Sequence, residues 1–315
     1  MGAGALRYLS FRLARAALTA FAVVTLVFVL IRAVPGDPVD AMLGEQSAPE
    51  DRAAVRRALH LDESLPAQYG RFLGDVADGT LGRSFRAPEV SVRALIERAF
   101  KPTFELALCA LTVAWLVAIP LGVLAAARRG TLFDRAASVF ALTGLALPTI
   151  WLGPLLVLLF SVKLRWLPLP GDDTEAVGAL VLPAITVGMA LAAGLTRQTR
   201  AAMVEVLSQP YVAAARARGV SRSGVFFQHA LRNALLPVLT LAAAQFGALL
   251  SGAVIAEKIF ERPGLGTLFL EGFFARDIPV VQGVVLLVGL LYVLVNVALD
   301  LAYAIVDPRV RLDAS

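Results

Sequence analysis

Charge is scarce in this sequence. Only 17% of its 315 residues are Asp, Glu, Lys or Arg, against 58% hydrophobic ones, whereas a soluble domain carries about 25% charged residues. With a mean hydropathy of +0.75, the chain needs lipid around it. Its one cysteine, Cys109, stands in an apolar run, which excludes an intrachain disulfide and a thiolate metal site and leaves a small apolar side chain. The two histidines, His60 and His229, fall in loops on opposite sides of the membrane in the topology read below, so they share no active site. No H-E-x-x-H or G-x-S-x-G pattern occurs, and no Cys/His/Asp cluster suggests an enzyme. A phosphate-cradling loop needs Gly before its Lys, but Lys101, Lys163 and Lys258 follow Phe, Val and Glu. If nucleotide powers this protein, another subunit must bind it. Asp172-Asp173 with Glu175, beside Pro170-Gly171, reads as a solvated turn.

What is present is long apolar runs. Six of them, near residues 16–34, 105–126, 136–162, 177–195, 234–256 and 279–304, reach the roughly 20 residues that a helix needs to cross about 30 Å of hydrocarbon. The expected fold is all-α and polytopic, with six transmembrane helices. The first run is too long for a cleaved signal peptide and has no small-residue site before Pro35, so it reads as an anchor. Glu105, Glu257, Lys258 and Asp300 fall near span ends, where an interfacial position explains them. An ion-coupled carrier, the reading from a different class, would show charge near the midplane.

Basic residues set the orientation, since Lys and Arg of short loops are retained on the cytoplasmic side. One face carries Arg7, Arg12 and Arg15, then Arg128, Arg129 and Arg135, then Arg197, Arg200, Arg216, Arg218, Arg222 and Arg232, then Arg309 and Arg311. The other carries only Lys163, Arg165, Lys258, Arg262 and Arg276. Both termini are therefore expected inside. The organisation that follows is a cytoplasmic N-terminus with the first helix (1–34), an extracytoplasmic loop (35–102), a membrane core (103–306) and a cytoplasmic tail (307–315). The net charge of +5 belongs to this sidedness and does not point to nucleic acid.

Between the fourth and fifth spans the loop runs from Gln209-Pro210 to Leu236-Pro237. Pro210 suits the first turn of a helix and Gly219 its C-terminal cap. Ser221 then suits the N-cap of a second short helix, running through Phe226, Phe227 and Ala230 towards Pro237.

At these residues the chain resembles the permeases of ATP-binding-cassette importers, whose signature is E-A-A-x-x-x-G followed at a fixed gap by a hydrophobic residue and Leu-Pro. Ala214, Ala215, Gly219, Leu236 and Pro237 fall on it, and Ala213 stands in place of the Glu. That departure matches the dipeptide, oligopeptide and nickel subfamily, as do Pro35-Gly36-Asp37-Pro38, Leu81-Gly82-Arg83-Ser84-Phe85, His229-Ala-Leu-Arg-Asn233, Phe260-Glu-Arg-Pro-Gly-Leu-Gly266 and Asp307-Pro-Arg309. In order and spacing they are similar to the first of that family's two paired permeases, the one with the large outer loop.

The resemblance implies a transport subunit of the bacterial inner membrane with no cofactor of its own. Its implied partners are a second homologous permease, two ATPase subunits that bind ATP and Mg, an extracytoplasmic substrate-binding protein and the lipid bilayer. It implies a coupling helix at 211–219, with Tyr211, Ala214, Ala215, Arg216, Arg218 and Gly219, together with Leu236 and Pro237, serving contact with an ATPase. Di- or oligopeptides are the implied cargo, and nickel or a nickel chelate is the alternative.

Overall fold

The computed structural model describes residues 3–33, 36–44, 47–172, 177–221, 224–250 and 254–306. Pro35, Asp173, Glu175, Arg222, the Asp307-Pro-Arg309 motif and Arg311 lie outside the described residues.

The chain is helical, and four of its helices are long and apolar enough to cross a membrane: α5 (Val92–Ala127), α8 (Val177–Leu207), α10 (Arg232–Leu250) and α13 (Ile278–Val306). A fifth candidate span is bent. Helices α6 (Leu132–Ala146) and α7 (Thr149–Leu156), the latter prolonged by a π-helical stretch Val157–Lys163, meet at 99°. The uninterrupted span expected over 136–162 is therefore broken. The residue before a proline is pushed out of the helical region, and Leu147, before Pro148, is extended at φ −79° and ψ 114°. The first helix, α1 (Ala3–Ala33), carries its apolar stretch over Ala17–Ala33.

Proline misleads in the opposite sense at Pro102, the expected end of the outer loop. Here α5 begins ten residues earlier and runs through Pro102 and Pro120, because a membrane helix tolerates proline where neighbours satisfy the freed carbonyl. Ser91 caps its start, its hydroxyl accepting from the Ala94 N–H at 3.3 Å.

The core is built on small residues. Helices α5 and α8 form the most extensive helix pair, with Ala114 and Ala118 of α5 packed against Ala192 and Leu195 of α8 and Val238 and Ala242 of α10. Without water to expel, membrane helices gain from close backbone approach. Gly188 is where this is tightest, since a Cβ there would stand 2.7 Å from the Ala110 carbonyl oxygen.

The long segment after α1 is folded. It contains α2 (Pro38–Leu43), α3 (Pro49–Ala58) and α4 (Leu65–Ala77). Phe72 of α4 is buried with Val24 and Phe28 of α1 and Leu286 of α13. Tyr69 of α4 and Thr25 of α1 share a hydroxyl hydrogen bond of 2.7 Å.

Candidate functional site

The loop between α8 and α10 begins with α9 (Pro210–Ala217). Pro210 opens it, where a missing N–H costs nothing. Beyond its C-terminal end Gly219 has φ +82°, the left-handed position that favours glycine. The helix ends two residues short of the expected 219. The Ser221 hydroxyl accepts from the Gly224 N–H at 3.2 Å, and the described residues from Gly224 onward are helical as expected, but they do not form a separate short helix. Instead, a π-helical turn, Val225–Leu231, runs directly into α10.

Two faces of α9 differ. Val212 and Ala215 are fully buried within the chain, whereas Tyr211, Ala213, Ala214, Arg216, Ala217 and Arg218 are exposed. Ala215 thus packs inward, while Ala214 and Ala217, with Tyr211, Ala213, Arg216 and Arg218, stand on the exposed side. The Asn233 side-chain amide donates to the Tyr211 hydroxyl at 2.7 Å, tying α9 to the base of α10. Leu236 and Pro237 lie further along α10, Leu236 half-buried and Pro237 exposed.

Of the basic residues on this face, Arg200 is not a free cation. It donates to the buried Asp134 carboxylate, with Nη2 to Oδ2 at 2.9 Å. Asp134 also accepts from the Gly130 N–H at 2.9 Å, so the turn before α6 is pinned to α8.

On the opposite side two motifs become one clamp. Asp277, just before α13, is 4% exposed. Its carboxylate accepts from the Ser84 hydroxyl and from the Phe85 N–H at 3.0 Å. The Leu81–Phe85 motif is therefore the strap that seats the segment between α1 and α5 on the start of α13. Below it, at the start of the same segment, burial pushes the Asp37 carboxyl up, but the Val39 N–H and the Arg56 guanidinium hold it below the usual aspartate range.

Glu257, expected near a span end, is enclosed by the chain itself. In α11 (Val254–Ile259) it is 1% exposed. It accepts from the Thr103 hydroxyl at 2.6 Å and from the Thr267 N–H at 2.9 Å, and Thr103 in turn accepts from the Leu265 N–H at 2.8 Å. Buried carboxylates persist only with such partners. This explains Pro-Gly-Leu-Gly in the Phe260–Gly266 motif: a Cβ on Gly264 would collide with the Glu257 carboxylate, and one on Gly266 would meet Val254 at 2.7 Å. The sequence signal was the glycine pair, which marks close approach.

Residues 118–312 match the family described as "Binding-protein-dependent transport system inner membrane component", and residues 5–107 match the N-terminal component of such systems. The di/tripeptide transport system permease protein DppB of Pseudomonas aeruginosa is 41% identical, covering 93% of this chain and 95% of that protein. The glutathione transport system permease protein GsiC of Pectobacterium atrosepticum is 40% identical with the same coverage. A chain of the MetNI methionine ABC transporter, in inward-facing conformations, superposes with TM-score 0.55 at 21% identity, over 68% of this chain and 96% of that one. This last likeness speaks to fold alone.

Proposed function

The chain belongs to the family of binding-protein-dependent transport system inner membrane components and is a permease subunit of an ATP-binding-cassette importer, not an enzyme; on that premise we propose that it carries di- or tripeptides inward. The observation that carries the reading is end-to-end similarity to permeases named for dipeptides, di/tripeptides and glutathione, at 39 to 41% identity. The protein is a multi-pass inner-membrane component, and its proposed topology has six spans: α1, α5, the bent α6–α7 pair, α8, α10 and α13. Both termini are cytoplasmic in this proposal, consistent with the arginine asymmetry.

In the proposed assembly a second permease completes the path, and two ATPase subunits bind ATP and Mg. Helix α9 enters a groove on one of them through Ala214, Ala217 and Arg218. The outer unit, strapped down at Asp277, meets the substrate-binding protein or covers the outer mouth, since a long ordered loop tends to carry function. A chain shortened between Gly44 and Gly82 should insert but transport poorly.

Reconstitution tests the cargo. Vesicles carrying the four-subunit complex, with ATP inside and the binding protein outside, should accumulate labelled dipeptide. Uptake of a nickel chelate with no peptide uptake would replace this reading with its alternative.

A further inference from the structure

Helix α4, the strap at 81–85 and the start of α13 line a cavity of about 320 Å3, within the range of small-molecule sites. Its wall includes Arg32, Asp75 and Gln282. Gln282 is 5% exposed, and its Nε2 has no acceptor among the described residues. Asp75 is half-buried, and its carboxylate accepts no hydrogen bond there; burial and the nearby Asp78 push its carboxyl up against the pull of Arg71. Arg32 reaches the cavity from the end of α1. Its Nε and Nη2 both donate to Gln68 Oε1 at 3.1 Å and its Nη1 to the Phe28 carbonyl at 3.4 Å, and the guanidinium lies 3.6 Å over the Phe28 ring; these partners are neutral, so its charge is not balanced by a carboxylate. Of the other guanidiniums in the wall, Arg71 is neutralised by Glu63 at 2.6 Å, and Arg83, which donates to the Pro88 carbonyl at 3.0 Å, is exposed to solvent where Arg32 is half-buried.

A half-buried carboxylate, an unneutralised guanidinium and an idle amide donor complement a solute with an ammonium at one end and a carboxylate at the other. We propose that this cavity is an outer docking site for a free di- or tripeptide, its α-ammonium on Asp75, its carboxylate on Arg32 and a peptide carbonyl on Gln282 Nε2. The inference rests on the peptide reading above and adds a place where the cargo rests on the permease itself.

The test uses the purified permease–ATPase complex in nanodiscs without binding protein, and equilibrium dialysis with three probes: a labelled dipeptide, its N-acetylated form and its C-terminal amide. The wild type should bind the free dipeptide more tightly than either blocked form. Asp75→Asn should weaken the free dipeptide about tenfold, the scale of one charge-assisted hydrogen bond, and leave the N-acetylated form unchanged. Arg32→Gln should do the same relative to the amide. Gln282→Leu removes an unpaired donor and so spares folding; it should weaken all three probes alike. No binding to the wild type, or equal losses for free and blocked peptides in both charge variants, overturns the site. Uptake through the binding protein is measured in parallel. Peptide uptake with unresponsive affinities rejects the cavity and keeps the cargo, whereas absent peptide uptake rejects the cargo.

Discussion

The Phe85 N–H donates to the Asp277 carboxylate at 3.0 Å across 192 positions of sequence, and the Ser84 hydroxyl donates to the same group. One buried aspartate therefore holds the segment between α1 and α5 against the start of α13. Replacing Asp277 with Ala strands the Ser84 and Phe85 donors, at about 1–3 kcal/mol for a buried unsatisfied group. Asp277→Asn keeps an acceptor oxygen and should cost less. Limited proteolysis of membranes should cut the Ala variant faster than the Asn variant within 44–82, with the wild type slowest. Equal rates in all three would mean that the strap bears no load.

The Glu257 network predicts an unusual ranking of conservative changes. Gly264→Ala adds one carbon where the carboxylate already sits, an overpacking that costs roughly 1–3 kcal/mol. Glu257→Gln keeps the shape and one acceptor oxygen, which can face the Thr267 N–H while its NH2 donates to the Thr103 hydroxyl oxygen, and should be milder. Thermal denaturation of the purified complex should give Gly264→Ala the lower midpoint. The reverse order would show that the carboxylate charge, not the space around it, holds this corner.

Topology is checked by single cysteines in a Cys109→Ser background. Glu50 is exposed on α3, so Glu50→Cys should react with an impermeant maleimide added outside intact spheroplasts. Ala217→Cys on α9 should react only after lysis. Outside labelling of Ala217→Cys would invert the proposed orientation.

The sequence reveals most where one physical rule acts alone. Apolar length locates the candidate spans at α5, α8, α10 and α13, because lipid thickness admits little else. Pro210 and Gly219 delimit α9 to within two residues, because each has a local backbone reason. Legibility fails where tertiary context overrides a local rule. Pro102 breaks nothing while Pro148 bends the chain by 99°, a difference that depends on what surrounds each freed carbonyl. The burial of Glu257 is not legible because its partner Thr103 is 154 positions away. In the loop between α8 and α10, sequence spacing groups Ala214 with Ala215, yet adjacent helical residues point about 100° apart, and only the fold tells which one faces inward.

That division of α9 gives the sharpest test of coupling. Ala215 is buried within the chain, so Ala215→Trp should overpack the loop itself, costing roughly 1–3 kcal/mol, and should lower the thermal midpoint of the isolated permease pair. Ala214 and Ala217 are exposed, so Ala214→Trp and Ala217→Trp should leave that midpoint unchanged. They should nonetheless reduce ATPase stimulation by loaded binding protein, because the bulk stands where the groove of the ATPase must close. Gly219→Val supplies a backbone control: at φ +82° a branched residue costs about 1–2 kcal/mol, and Gly219→Ala should cost less. The measurement pairs unfolding midpoints with substrate-stimulated ATPase in reconstituted complexes. Full stimulation in Ala214→Trp and Ala217→Trp, with the complex assembled, would mean that α9 is a surface helix with no part in transmission.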